Sequence, residues 1–440
     1  MRLLSARALL PAVVLLIGVA ALSASEAGAG RRGLPPGYLA VNFSSLGGTS
    51  SAGISVNDFG LVTGHSTLEG DETVHATAWL YGLTFDLGTL GGPNSAVLWP
   101  VKNDRGMVVG VAETADEDPL GEAWSCSNFF PGEPTGHVCR GFVWERGVMK
   151  ALPTLGGTHG FAAGANNLGQ VVGWAENEVE DPTCVAPQVL QFRAVRWDPR
   201  RDEMEELPPL EGDTSTAATA INDHGQVVGI SGICDVAVGR FSAAHAVLWQ
   251  DGEVIDIGNL GGVAWNTPMA INNHGEVVGF SNVSAEDGGA FNARAFRWTA
   301  EEGIQDLGTL PGDTMSQALG INDRGQIVGQ SCTEGFASCR AFLWEDGVMM
   351  DLNALIGFGY DDHLYFANDI NDRGMITGMA VDAGTGEAVT FMAVPFPGLT
   401  GLNHSLSSAG PSGPDQLLPP GARDVLLQRL GLDRAQLASP

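Results

Sequence analysis

One nine-residue phrase, Ile321-Asn322-Asp323-Arg324-Gly325-Gln326-Ile327-Val328-Gly329, constrains this chain more than any other feature. It returns around Asn57, Asn103, Asn166, Asn222, Asn272 and Asn371, giving seven copies spaced 46, 63, 56, 50, 50 and 49 residues apart. A second phrase follows each copy. Arg340-Ala341-Phe342-Leu343-Trp344 is typical, with counterparts ending at Trp79, Trp144, Trp197, Trp249, Trp298 and, in the seventh copy, Phe391. A third phrase, Asp306-Leu307-Gly308-Thr309-Leu310, closes the unit and recurs at 86–90 and 256–260. Self-similarity at such a period marks stacked supersecondary units that share one core. The 440 residues therefore need not divide into the several domains that length alone suggests.

Each copy encodes four short strands. The small-residue run from Gln317 to Asn322 is the first, and Asp323-Arg324-Gly325 turns the chain. Asn, Asp and Gly tolerate the positive φ that tight hairpins need. Gln326 to Gln330 is the second strand and the Phe-Leu-Trp phrase the third; Val348 to Leu352, after the turn Glu345-Asp346-Gly347, is the fourth. Second strands are apolar at consecutive positions, as in Val227-Val228 and Val277-Val278, which suits strands covered on both faces. The pattern predicts an all-β fold, a seven-bladed β-propeller of four-stranded blades. The last copy stops after its third strand, near Phe391 to Val394, while an orphan closing phrase, Asn42-Phe43-Ser44-Ser45-Leu46-Gly47-Gly48, stands near the other terminus. The N-terminal strand is predicted to close the last blade beside Glu387 to Val394. A ring gains from that permutation because it removes an exposed edge; an open β-solenoid gains nothing.

The phrases themselves, His245-Ala246-Val247-Leu248-Trp249 together with Asn-Asp-x-Gly-x-Val-Val-Gly and Asp-x-Gly-x-Leu-Gly-Gly, resemble the HAF-type repeats of extracellular bacterial proteins. The resemblance spans about Asn42 to Phe391 and implies export and a repeat fold. It implies no catalytic residue: the His of the phrase is Arg140, Arg193, Arg294 or Arg340 in other copies.

Residues 1–29 read as a signal peptide, with Arg2 and Arg7, an apolar core from Ala8 to Leu22, and Ala27-Gly28-Ala29 as the small-x-small cleavage pattern. No later segment has the ~18 consecutive apolar residues of a spanning helix, so no membrane span is expected in the mature chain. The propeller is expected over 38–396. In 397–440, Gly401 to Pro420 is rich in Ser, Gly and Pro and reads as linker, followed by a short helix at Arg423 to Leu430 or a disordered tail. The net charge is −29, and Lys102 and Lys150 are the sole lysines, so no basic stripe exists for nucleic acid or anionic membranes. An extracellular protein or glycan, bound by a monomer in a secreted or periplasmic setting, remains.

Export also decides how the six cysteines read. An oxidising compartment favours disulfides, and no Cys-x-x-Cys metal phrase occurs. Cys126 and Cys139 share one connection between second and third strands, Cys332 and Cys339 flank another, and Cys184 and Cys234 occupy that connection in adjacent repeats. Topology thus selects the pairs 126–139, 332–339 and 184–234.

Most apparent chemistry dissolves into the repeat. Gly64-His65-Ser66 looks like a nucleophile elbow, but Leu68 stands where the second Gly is needed, and the serine recurs as Ser231, Ser281 and Ser331. A recurring serine is expected to be structural. The glycine phrases lie between strands with no helix following, so they form no phosphate cradle. His224 and His274 sit at the variable third position of the turn, and the repeat tryptophans at one fixed core position. Trp124 and Trp265 fall outside that frame in predicted loops, where an aromatic face can stack on a ligand ring. Acids cluster between second and third strands: Glu113, Asp116, Glu117 and Asp118, then Glu176, Glu178, Glu180 and Asp181. Oxygens at this density can hold Ca²⁺, but no EF-hand-like spacing is present, so a solvated acidic face without cofactor is expected. These connections vary greatly in length, whereas the Asn-Asp-x-Gly turns are uniform. Variable loops on a rigid scaffold are where binding residues usually sit. The sequence thus favours a binding or scaffolding module working through its loop-rich acidic face, with Trp124, Trp265, Asp116, Asp118, Glu178 and Asp181 as candidates. The alternatives are an extracellular glycan hydrolase or lyase using a carboxylate pair, and a purely structural envelope repeat.

Overall fold

The structure, a computed structural model, describes residues 37–396 apart from 123–129, 131–133, 236–238, 287 and 358. The expected signal segment and C-terminal tail, together with Trp124 and Cys126, lie outside the described residues. Among the described residues the fold is all-β; helix is confined to short turns at Arg240–Ala243, Glu334–Phe336 and Leu352–Leu355. No described helix is long and apolar enough to cross a membrane.

The sixth repeat shows the common plan. Met315–Ile321, Ile327–Cys332, Cys339–Glu345 and Val348–Asp351 pair antiparallel in sequence order. The second to sixth repeats each form such a four-stranded sheet. The first repeat (Gly47–Val56, Val62–Leu68, Val74–Leu80, Leu83–Asp86) and the seventh (His363–Ile370, Ile376–Val381, Ala388–Phe396) share an eight-stranded sheet, joined by one parallel bridge between Ser50 and Ala388.

The fourth place in the seventh repeat is taken by Gly37–Asn42, antiparallel to Ala388–Phe396 with Gly37 opposite Phe396 and Asn42 opposite Phe391. This corrects the expectation that Asn42 to Gly48 would fill it. The closing phrase begins where a fourth strand ends. In three repeats its Asp accepts the N–H of the Gly two residues on, Gly88 to Asp86 at 2.8 Å, Gly258 to Asp256 at 2.8 Å and Gly308 to Asp306 at 2.7 Å. That Asx turn stops the strand, so the pairing residues precede the phrase.

Burial falls from first strand to fourth. Ser215–Ile221 and Met315–Ile321 are buried at every position, whereas Leu83–Asp86 and Glu253–Asp256 are largely exposed. From the third repeat to the seventh the first strands lie against one another in series, and that of the seventh lies against that of the first. The glycine of each Val-Val-Gly phrase is required by a close approach. A Cβ at Gly64, Gly173, Gly329 or Gly378 would stand 1.8–1.9 Å from a first-strand carbonyl oxygen. The four recurring serines are structural as expected: Ser66, Ser231, Ser281 and Ser331 Oγ accept the N–H of Leu46, Leu210, Leu260 and Leu310 at 2.8–3.1 Å. The repeat Trp79, Trp197 and Trp249 donate Nε1–H to the carbonyls of Ser44, Pro153 and Pro208, fixing their buried rings.

Candidate functional site

The strands have two ends, and they differ in chemistry. At the turn end the repeat Asn clamps the next repeat at Asn166, Asn222, Asn272, Asn322 and Asn371. Asn322 Oδ1 accepts from the N–H of Arg324 and Gln326, while its Nδ2 donates to the Asn371 carbonyl of the next repeat at 2.9 Å. An amide accepts and donates at once where a carboxylate only accepts, which explains why Asp does not replace it here. The residue after the Asn carries a second connection. The N–H of Asp58 donates to Asp104 Oδ1, Asp104 to Asn167, Asn167 to Asp223, Asp223 to Asn273, Asn273 to Asp323, Asp323 to Asp372, and Asp372 back to Asp58, all at 2.7–3.0 Å. These seven bonds form a cycle through every repeat around a small opening. Burial raises the Asp58 pKa, and the charges of Asp104 and Asp372 raise it further. Lys102 reaches in from the second repeat to Asp369 Oδ1 and to the Ile370 carbonyl at 2.6 Å, while Asp369 Oδ2 accepts the Val56 N–H at 2.9 Å. One fully buried carboxylate thereby ties the seventh repeat to the first and second.

The loop end carries the disulfides. Cys184–Cys234 joins the third and fourth repeats and Cys332–Cys339 closes a short connection in the sixth, as topology selected. Cys139 is also disulfide-bonded; its expected partner lies outside the described residues.

Beside Cys139 lies a buried ionisable cluster. His159 Nε2 is 3.3 Å from Asp118 Oδ2, with both side chains at most 2% exposed. Asp118, Glu122 and His159 each bring a side-chain oxygen or nitrogen to within 4.8 Å of the others, and apart from the contact between His159 and Asp118, Asp118 Oδ2, Glu122 Oε2 and His159 Nε2 have no polar partner. Glu176 completes the group, accepting from the His159 N–H at 2.7 Å and from Gln188 Nε2 at 2.9 Å. Burial pushes the pKa of Glu122 and of Glu176 up, and for Glu122 the charge of Glu176 adds to it. Burial also opposes a charge on Asp118, but His159 and the Leu120 N–H outweigh it and hold that carboxyl low. For His159 burial disfavours the cation, yet Asp118, Glu176 and Glu122 together raise its pKa.

The same framework occurs one repeat earlier with different side chains. Asn94 Oδ1 accepts the Val74 N–H, and the Asn94 N–H and Nδ2 donate to Glu113 Oε2. His159 stands in that place: its Nδ1 accepts the Cys139 N–H at 3.1 Å. An imidazole that accepts at Nδ1 carries its single neutral proton on Nε2. The ring thus mimics the amide and points an N–H, rather than a lone pair, at Asp118 and Glu122. Two carboxylate oxygens and a ring nitrogen are also far from the six to eight oxygens that Ca²⁺ takes. The arrangement is suited to holding a shared proton.

Of the five candidates among the described residues, only Asp118 lies in this cluster. Asp116 and Glu178 are exposed on long second strands, Val108–Glu117 and Val171–Glu180. Asp181 is buried and structural, accepting from the Thr183 N–H and hydroxyl at 2.8 and 2.6 Å beside the Cys184 bridge. Trp265 is no surface platform: it is 3% exposed, donates Nε1–H to the Gly289 carbonyl at 2.8 Å and packs edge-on against Phe291. Glu122 and His159 escaped the sequence reading. The signal was the frame itself, in which Gly156-Gly157-Thr158-His159 repeats Gly91-Gly92-Pro93-Asn94.

No protein-family model matches the sequence, and no curated protein matches it. Solved structures with a distant likeness include a gluconolactonase from Xanthomonas campestris (11% identity, 59% of this chain and 82% of that chain, TM-score 0.32). An oligogalacturonate lyase in complex with manganese (10%, 83% and 98%, 0.40) and the Trypanosoma rangeli sialidase (9%, 85% and 62%, 0.40) are others. These likenesses are too remote to carry chemistry from those enzymes to this chain.

Proposed function

We propose that the chain is an exported, closed seven-bladed β-propeller of the HAF-repeat kind, and that it binds an extracellular partner through its loop end. The hydrogen-bond cycle from Asp58 back to Asp58 and the N-terminal strand in the last repeat support closure. One observation carries the binding reading. Glu122, in the long connection of the second repeat, accepts the N–H groups of Val189 and Leu190 in that of the third. Two long loops are thus fixed to each other through a buried carboxylate whose other oxygen is unpaired. Burying such a group costs stability, and local rules are broken where a surface must be held ready for a ligand. The exposed acids beside it, Asp116, Glu117, Glu178 and Glu180, favour a basic protein or a neutral polar glycan over an anion. The hydrolase or lyase reading gains nothing from Glu122 and Glu176, which are closed off from solvent.

The test is a screen of the mature chain against glycans and basic proteins, with and without chelator. Asp116→Lys with Glu178→Lys should leave melting unchanged and abolish whatever binding appears. Binding that survives this pair and is lost on altering Asp223 and Asp323 would move the working surface to the turn end. Loss of binding on chelation alone would make the buried cluster a metal site instead.

A further inference from the structure

A cavity lies between the first strands on the loop-end side of the turn cycle, and its walls depart from the repeat. Trp99, Trp265, Phe280, Met269, Leu319 and Ile54 meet here, contributed by four different repeats. The centre of a water molecule can move through about 60 Å³ of it, several times the space one water needs. Its lining matches that of small-molecule sites, which are mostly apolar with a few placed polar groups.

Three buried amides supply the polarity. Gln330 donates to Gln317 Oε1, and Asn368 Nδ2 donates to the Gly53 carbonyl at 2.7 Å. Gln317 Nε2 is buried with no partner, on a side chain 2% exposed. A buried unmatched donor costs about 1–3 kcal/mol unless something accepts from it. None of the thirteen lining residues is charged, so an ion would enter without a counter-charge. A sugar would bring several hydroxyls, while two of the three amides already spend a donor within the protein. An aromatic ring bearing one acceptor oxygen satisfies both the walls and the free donor.

We propose that this cavity is a binding site for a small uncharged aromatic molecule carrying a hydrogen-bond-accepting oxygen, which Gln317 Nε2 engages. The site is independent of the loop-surface reading. Acetophenone, toluene and methyl glucoside serve as probes, titrated into the mature full-length chain while tryptophan fluorescence and thermal melting are followed. Acetophenone should bind saturably, about five- to tenfold tighter than toluene, and methyl glucoside should not bind. Gln317→Leu should erase the preference while toluene still binds. Met269→Trp should fill the space and abolish both, with Leu319→Phe as the second filling variant should the first melt unlike the parent. Asp116→Lys with Glu178→Lys should change none of this. No saturable aromatic binding, glucoside binding as tight as acetophenone, or binding unchanged in a folded filling variant would each overturn the site.

Discussion

The two ends of the same strands solve opposite problems. At the turn end, seven near-identical turns satisfy one another: each backbone N–H after the Asn finds the next repeat's Asp or Asn side chain. At the loop end, connections of unequal length are held by disulfides and by a buried cluster with unpaired atoms. Uniform repetition lets every polar group be matched by geometry alone. Irregular loops must be matched individually, and Glu122 and Gln188 keep unmatched oxygens there. The difference says which end was shaped by the fold and which has room for a ligand.

The largest effect is expected at the seam that both ends share. Deleting Gly37–Asn42 leaves Ala388–Phe396 without its partner. The domain should then lose its cooperative thermal transition; a parent-like melt would show that the cycle of turns holds the seam unaided. Next is the buried ion pair of the turn end. Lys102→Met strands the fully buried Asp369 carboxylate, at a cost of about 3–5 kcal/mol in denaturant unfolding. A change under 1 kcal/mol would mean that the Val56 and Ile370 N–H groups suffice for it.

The loop-end cluster should give a smaller and more conditional loss. His159→Leu leaves the Cys139 N–H and Asp118 unmatched, costing about 2–4 kcal/mol. His159→Asn, the side chain of the preceding repeat, keeps the acceptor for the Cys139 N–H and should lose less than the Leu variant. A second proton on His159 Nδ1 costs the Cys139 bond, but the surrounding carboxylates raise its pKa, so the folded state gains from that proton below about pH 6.5 and loses the gain as pH rises through the raised value. The parent's advantage over the Asn variant should therefore shrink as pH rises above about 6.5. An advantage that grew with pH would show the ring to be held neutral by the Cys139 bond. The smallest effect belongs to the ring of turns. Asp58 has a raised pKa, so its charge weighs against folding at neutral pH and not below about pH 3.8. Asp58→Asn, the residue type already found at positions 167 and 273, should raise the melting temperature slightly at pH 7 and leave it unchanged at pH 3.5. Destabilisation at pH 7 would mean that the carboxylate is needed as acceptor for Asp372.

Much of the fold was legible because the repeat states each rule seven times. The Asn clamp, the Val-Val-Gly approach, the Ser66-type serines and the core tryptophans each follow from one residue in a fixed frame. The fourth-strand assignment at the N-terminus slipped by several residues because Asn42 to Gly48 is the recognisable phrase, while the strand before it, Gly37–Asn42, has no fixed spelling. The site was far less legible. Asp116, Asp118, Glu178 and Asp181 look alike in sequence, yet one is buried against a histidine, one caps a loop, and two face solvent. Their fates depend on how the loops of neighbouring repeats cross, as Glu122 does on reaching Val189, and no local pattern encodes that.

The strand Gly37–Asn42 also sets an order of events. It is the first described segment to be synthesised, and its partner Ala388–Phe396 is the last. Until nearly the whole chain exists, this edge has nothing to pair with and is a template for any other strand it meets. Contacts between such distant segments form slowly. The clasp is thus expected last in assembly, at the stage where aggregation competes most directly with the native fold. A chain permuted to begin after Asn42, with the strand Gly37–Asn42 appended behind Phe396, would make the clasp a local hairpin and should fold faster to the same end state.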